Sequence, residues 1–154
     1  MRVLRILAAV FGCCAALAAS AEDRVVDYRN DDARMNAAIA RAQATLAAFD
    51  AALDRGDGTR HSIKVRVPYG NNSGEHIWLI DVKRDGEDYS GTVASEPVNV
   101  TWVVAGTVYR AARRDVSDWM YDDAYGTHGG FTVRVMLEDL PAQERAKYSL
   151  KFVD

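Results

Sequence analysis

Cysteine is almost missing from this chain, and the two present stand together as Cys13-Cys14 near the start. If that stretch is a removed leader, the working protein has no disulfide, no thiol nucleophile and no thiolate metal site. Proline is scarce as well, with three in 154 residues, and no proline-rich or low-complexity linker divides the chain. After residue 21 no wholly apolar run exceeds four residues, so no transmembrane segment is expected beyond the leader. Positive charge is in deficit, at a net −3, which argues against a nucleic-acid partner. HExxH, P-loop, GxSxG and CxxC motifs are all absent, and His61, His76 and His128 have no zinc-site spacing. No metal and no cofactor are therefore expected.

What is present begins with an export signal. A basic start, Met1-Arg2-Val3-Leu4-Arg5, leads into an apolar run over 6–19 and a small-residue site, Ala19-Ser20-Ala21, which is how a secretory signal peptide is built. Cleavage after Ala21 leaves 133 residues, and the loss of two arginines moves the net charge to −5. Lipidation at Cys13 is the rival reading, but Phe11 fits a lipobox poorly; an uncleaved anchor is the third. The expected organisation is a signal peptide over 1–21, a polar tether over 22–30 and one domain over 31–154, in a periplasmic or secreted protein.

An Asp31 or Asp32 cap opens a helix whose apolar stripe is Met35, Ile39, Ala42, Leu46, Phe49 and Leu53, and Gly56 stops it. The period then changes from 3.6 to 2. Strands are expected over 62–67, ended by Pro68, over 76–82, which is apolar on both faces, and over 89–94, where Gly91 marks a bulge or close approach. Further strands are expected over 98–104, 107–111 and 131–137. An irregular stretch with a helical turn over 113–121 and a glycine-rich loop over 125–130 precede the last strand, and a short helix over 138–148 with Asp139 as cap follows it. The gaps are too short for crossover helices. This is an α+β pattern: one long amphipathic helix on a curved antiparallel sheet, or a small partly open barrel, of five to six strands.

Taken in order, Glu75-His76-Ile77-Trp78-Leu79, Gly91, Glu96-Pro97, Gly106, Asp118-Trp119-Met120-Tyr121 and Gly129-Gly130-Phe131-Thr132-Val133-Arg134 resemble the uncharacterised bacterial YegJ-like family. The likeness runs from about Asp31 to Leu137 and departs at Pro97-Val98-Asn99-Val100, where the family has a more regular Asn-x-Pro turn. It implies a small α+β domain, found in exported proteins and in cytoplasmic modules, and carries no catalytic assignment.

Five residues are the candidate ligand site or structural polar cluster: Glu75, His76, Asp118, Trp119 and Arg134, expected at one end of the sheet. Glu75 is suited to satisfying backbone amides or to pairing with an arginine, with Arg134 as a partner if their strands neighbour each other. His76 reads as a core-rim imidazole or a ligand contact. Asp118 suits a cap for the following turn, and Trp119 needs an apolar slot and an indole N–H acceptor. Tyr121, Tyr125 and His128 are secondary candidates, with Trp119, Tyr121 and Tyr125 as walls of a possible stacking cleft. His61 is expected to be solvated in a loop. A serine–histidine–aspartate set drawn from Ser73 or Ser117 with His76 or His128 has little weight among so many acids. The leading expectation is a non-enzymatic binding module for an unknown protein or small ligand. The alternatives are a small hydrolase or lyase using Glu75, His76, Asp118 or His128, and a partner-neutralising or chaperone-like protein.

Overall fold

A computed structural model of the chain describes residues 32–71 and 73–153. The expected leader and tether lie outside the described residues.

Helix α1 (Ala33–Arg55) starts where Asp32 accepts hydrogen bonds from the amides of Arg34 and Met35 at 2.9 and 3.0 Å. It ends at Gly56, whose φ of 71° suits a residue without a Cβ. Its inward stripe is Ala38, Ala42, Leu46, Phe49 and Ala52. Leu46 and Phe49 are fully buried, and each contributes about 1.5–3 kcal/mol of transfer free energy. Alanine at 42 leaves the helix backbone open to close approach, and Trp119 uses it by donating its indole N–H to the Ala42 carbonyl at 3.0 Å.

The strands are β1 (Thr59–Tyr69), β2 (Ser73–Asp85), β3 (Asp88–Val93), β4 (Val108–Ala111), β5 (Val116–Asp122), β6 (Thr127–Gly129) and β7 (Phe152–Val153). They form one open sheet in the order β4-β3-β2-β1-β5-β6-β7. Every pairing is antiparallel except β6 with β7. The expected α+β fold holds, with seven strands in place of five to six. One sheet face carries Ile63, Val65, Val67, Ile77, Leu79, Tyr89 and Val93, which pack with the α1 stripe into a single core. The register skips once between Ile80↔Thr92 and Lys83↔Ser90, where Asp81 has a φ of 52°. Gly91 lies beside this bulge, and a Cβ there would fall 2.9 Å from the Ile80 carbonyl oxygen.

Several expected elements are corrected. Residues 98–104 are not a strand: Pro97 cannot donate to a ladder, and turns bring Val100 and Val103 inward while Val98, Trp102 and Val104 face solvent. Residues 131–137 alternate like a strand but belong to helix α2 (Phe131–Asp139). Gly129 and Gly130 have φ of 74° and 64°, which breaks the extended chain, and the helix N-terminus is then capped from β5. Residues 116–122 are strand after a single 3-10 turn over Arg113–Asp115, and β6 occupies part of the expected glycine loop. The C-terminal helix shrinks to α3 (Ala142–Arg145), started by Pro141. Strand β1 runs through Pro68 to Tyr69.

Candidate functional site

Asp118 is the most deeply placed of the five sequence-nominated residues, with no solvent exposure. One carboxylate oxygen accepts from the amides of Trp119 at 2.9 Å and Phe131 at 3.1 Å. The other accepts from the amide of Thr132 at 2.8 Å and its hydroxyl at 2.6 Å. Gly130, at the N-cap position of α2, has no side chain to offer, so Asp118 caps the helix from the neighbouring strand. Burial pushes its carboxyl above the usual carboxylate range, against the pull of Thr132, the Trp119 amide and the Lys64 charge. Lys64, opposite Asp118 in the β1–β5 register, is itself held below the ordinary lysine value by burial.

His76 reaches this region from the other side of β1. Its Nδ1 lies 2.7 Å from the Ser117 hydroxyl, which in turn lies 3.2 Å from the Lys64 carbonyl oxygen. Ser117 is the extra residue of a bulge between Lys64↔Asp118 and Val65↔Val116. The surrounding protein, then the charges of Lys64 and Arg66, depress the imidazole from 6.5 to about 4. His76 is therefore neutral near pH 7.

The Ser117–His76 contact departs from a nucleophilic triad in three respects. Ser117 is 2% exposed, so a substrate carbonyl has no path to its oxygen. Among the described residues no carboxylate orients the imidazole, and the charges beside it are cationic, opposing the imidazolium that a general base must form.

Glu75, adjacent in sequence, turns to a different task. Its carboxylate accepts the amides of Val98, Asn99 and Val100 at 2.6, 2.7 and 3.1 Å, which latches the β3–β4 connection. The expected ion pair of Glu75 with Arg134 does not form, because Arg134 lies on α2 instead of a strand beside β2. Arg134 donates to the carbonyls of Gly129 and Val153 at 3.1 and 2.9 Å, and its guanidinium lies 4.7 Å from the Phe152 ring centre. Trp119 is buried against α1 and does not wall a cleft with Tyr125, which is 74% exposed. Asp118 and His76 thus share the Lys64–Ser117 neighbourhood, while Glu75 and Arg134 serve separate segments.

Two of the three secondary candidates, Tyr121 and His128, stack with His61, and Tyr125 stands outside the stack. Tyr121 lies flat between His61 and His128, at centroid distances of 5.3 and 4.6 Å, and His128 Nε2 meets Asp123 at 2.7 Å. Hydrogen bonds from the Tyr125 amide, His128 and the Gly126 amide outweigh the effect of desolvation and hold the Asp123 carboxyl below its ordinary range. His61 is not a solvated loop residue. It sits on β1 against Phe49, with Nε2 buried and without a hydrogen-bond partner among the described residues.

Two features escaped the sequence reading. Asp50 of α1 accepts the Tyr89 hydroxyl at 2.6 Å and pairs with Arg84 at 2.6 Å and Arg113 at 2.5 Å. Burial alone would raise its carboxyl, but these donors hold it below the usual range. The second feature is the 94–107 connection. Val93 and Thr107, Gly106 and Val93, and Val103 and Val100 are joined by backbone hydrogen bonds of 2.9 Å, and Glu96 accepts the Ala105 amide at 3.1 Å. Val100 and Val103 anchor this loop in the core, whereas Val98, Trp102 and Val104 are 60%, 63% and 48% exposed. Glu96-Pro97 and Ala105-Gly106 were the turn signals that could have revealed it. Among the described residues no group of three or more His, Cys, Asp or Glu side chains is arranged to hold a metal ion. No helix among them is long and apolar enough to cross a membrane.

Residues 32–152 match the model of a family described as "Uncharacterized protein conserved in bacteria (DUF2314)". The chain belongs to this family. It is 28% identical to the uncharacterized protein YegJ of Escherichia coli strain K12 over 131 residues, 85% of each chain. Over 74 residues, 48% of this chain, it is 32% identical to a putative ankyrin repeat protein of Neisseria meningitidis serogroup B. That alignment spans 29% of the longer relative. No solved structure gives a significant match.

Proposed function

We propose that this protein is a non-enzymatic binding module, exported to the periplasm or secreted, whose contact surface is the latched loop over 94–107. The carrying observation is the loop itself: two valines fix it in the core, Glu75 holds three of its amides, and Val98, Trp102 and Val104 stand outward. A folded protein gains nothing by exposing a tryptophan on a preorganised loop, whereas tryptophan anchors are enriched where partners bind. Preorganisation also lowers the ordering entropy that association costs. Alignment of part of the chain with a segment of a longer protein supports a module that works by attachment.

The polar residues that an enzyme would need are engaged in the fold: Asp118 as a helix cap, Glu75 as a loop latch, and His76 on a buried serine. Export rests on the leader-like residues 1–21. The test is capture from periplasmic extract by the immobilised protein, run beside the Trp102→Ala variant. A species retained by the parent and lost from the variant supports the proposal. Equal retention by both would remove the loop from binding.

A further inference from the structure

The sheet face turned away from α1 carries an arrangement distinct from the loop. On β1 and β2, Arg66 pairs with His76 and Lys64 with Trp78, so four side chains form a two-by-two tile. Such partners are about 5 Å apart across the strands and about 7 Å apart along them. Lys64 Nζ lies 5.7 Å from the centre of the Trp78 ring. His76 Nδ1 is held by Ser117, which leaves Nε2 without a protein partner among the described residues.

Arg66 is the central observation. It is exposed, and no carboxylate among the described residues lies within ion-pair reach of it. Its guanidinium lies close over Gly74 instead: a Cβ there would fall 2.5 Å from Arg66 Nε and 2.6 Å from Cζ. A planar cation thus lies over bare backbone with no counter-charge among the described residues. Two further cations lie farther along the same face. Lys83 and Arg110 both stand opposite Ser90 in the register, with Arg110 paired to Asp85. Asp118, the carboxylate beside Lys64, is already surrounded by four donors. Next along the face, Ile80 and Val108 flank Thr92 in one row across β2, β3 and β4, and they are 43% and 73% exposed.

We propose that this tile is a binding site for an organic oxyanion, whose carboxylate or phosphate group is held by Arg66 and Lys64 while its apolar body lies over Trp78 and Ile80. A planar guanidinium matches either headgroup through paired N–H donors, and the Trp78 face and the Ile80 side chain beside it supply a surface for a ring or short alkyl chain. The Ser117 hydroxyl donates to the Lys64 carbonyl, so the neutral His76 ring carries its proton on Nδ1 toward Ser117 and borders the site without holding the anion. The site does not involve the 94–107 loop, so it can fail while the loop proposal stands, and the reverse.

The test is a titration of the isotopically labelled full chain with benzoate, phenyl phosphate and the neutral benzamide at constant ionic strength. Amide, Trp78 indole and Arg66 Nε–H resonances are followed, and the same spectra report that the fold is intact. Saturable shifts centred on Trp78 and Arg66 are expected from at least one of the two anions, and the tighter anion names the headgroup. Arg66→Gln, a surface change, should weaken that binding by about tenfold, the effect of one lost charged hydrogen bond. Benzamide shifting the same resonances as strongly as the anions would overturn the proposal. So would anion shifts that never saturate, or an Arg66→Gln variant that titrates like the parent.

Discussion

Removing the Asp118 carboxylate gives the sharpest perturbation of the fold. In Asp118→Ala three amides and the Thr132 hydroxyl lose their acceptor, α2 loses its cap, and Lys64 loses its nearest opposing charge. A lost cap alone costs about 1 kcal/mol. Breaking a buried charged arrangement by deleting one partner costs about 3–5 kcal/mol, and that larger figure applies because the site has no exposure to solvent. Asp118→Asn keeps the volume and one acceptor oxygen. The amide keeps one acceptor but turns its NH2 toward donors on the other side, so it should cost about 1–3 kcal/mol, less than the alanine variant. Urea unfolding followed by circular dichroism measures both values, provided the denaturant slope stays constant across the three proteins. If both variants lost less than about 1 kcal/mol, the capping account of α2 would be refuted. An Asn variant less stable than the Ala variant would equally contradict it.

Three further outcomes are expected. Phe49→Ala should cost about 3–5 kcal/mol in the same assay, because the ring is fully buried between α1 and the sheet, while exposed Ala40→Ser should stay within about 0.5 kcal/mol. His76 has a folded pKa of about 4 against an ordinary 6.5, so the unfolded chain takes up its proton first; the neutral imidazole stabilises the fold above pH 6.5, and that contribution is lost as pH falls toward 4. Stability measured across this window should therefore decline less in His76→Gln than in the parent, and identical declines would reject the environment described for the ring. Glu75→Ala removes the acceptor of three loop amides, so hydrogen exchange should accelerate at Val98, Asn99 and Val100 while the β1 and β2 core amides are unchanged.

The helix and the first three strands were legible in the sequence because their burial periods are clean. Asp32 and Gly56 mark both ends of α1, and Ile63, Val65 and Val67 alternate on one face with polar neighbours. Reading failed where two periods fit the same letters. Phe131, Val133 and Val135 alternate as a strand does, but Phe131 and Val135 are also one helical turn apart, and a cap supplied 13 residues upstream decided the outcome. The same long-range chemistry hid the loop: Val98, Val100, Trp102 and Val104 imitate a half-buried strand until Glu75 captures the intervening amides. Of the site residues, the amide partners of Glu75 and the indole acceptor of Trp119 followed from side-chain chemistry, whereas Asp118, expected to cap the turn after it, caps α2 from 13 residues upstream. Their separation into different neighbourhoods followed from Arg134 lying on a helix. Arg66 and Lys64 gave no signal, since alternating cations read as an ordinary solvated face until the pairing places His76 and Trp78 opposite them.

The most direct test of the central claim is a binding titration of the captured partner against the parent, Trp102→Ala and Ser117→Ala. A surface built on the latched loop predicts at least a tenfold loss of affinity for Trp102→Ala, the scale of an interfacial tryptophan, with Ser117→Ala binding like the parent. Undiminished binding by Trp102→Ala, together with loss in Ser117→Ala that retains its fold, would contradict the account and return function to the His76–Ser117 neighbourhood.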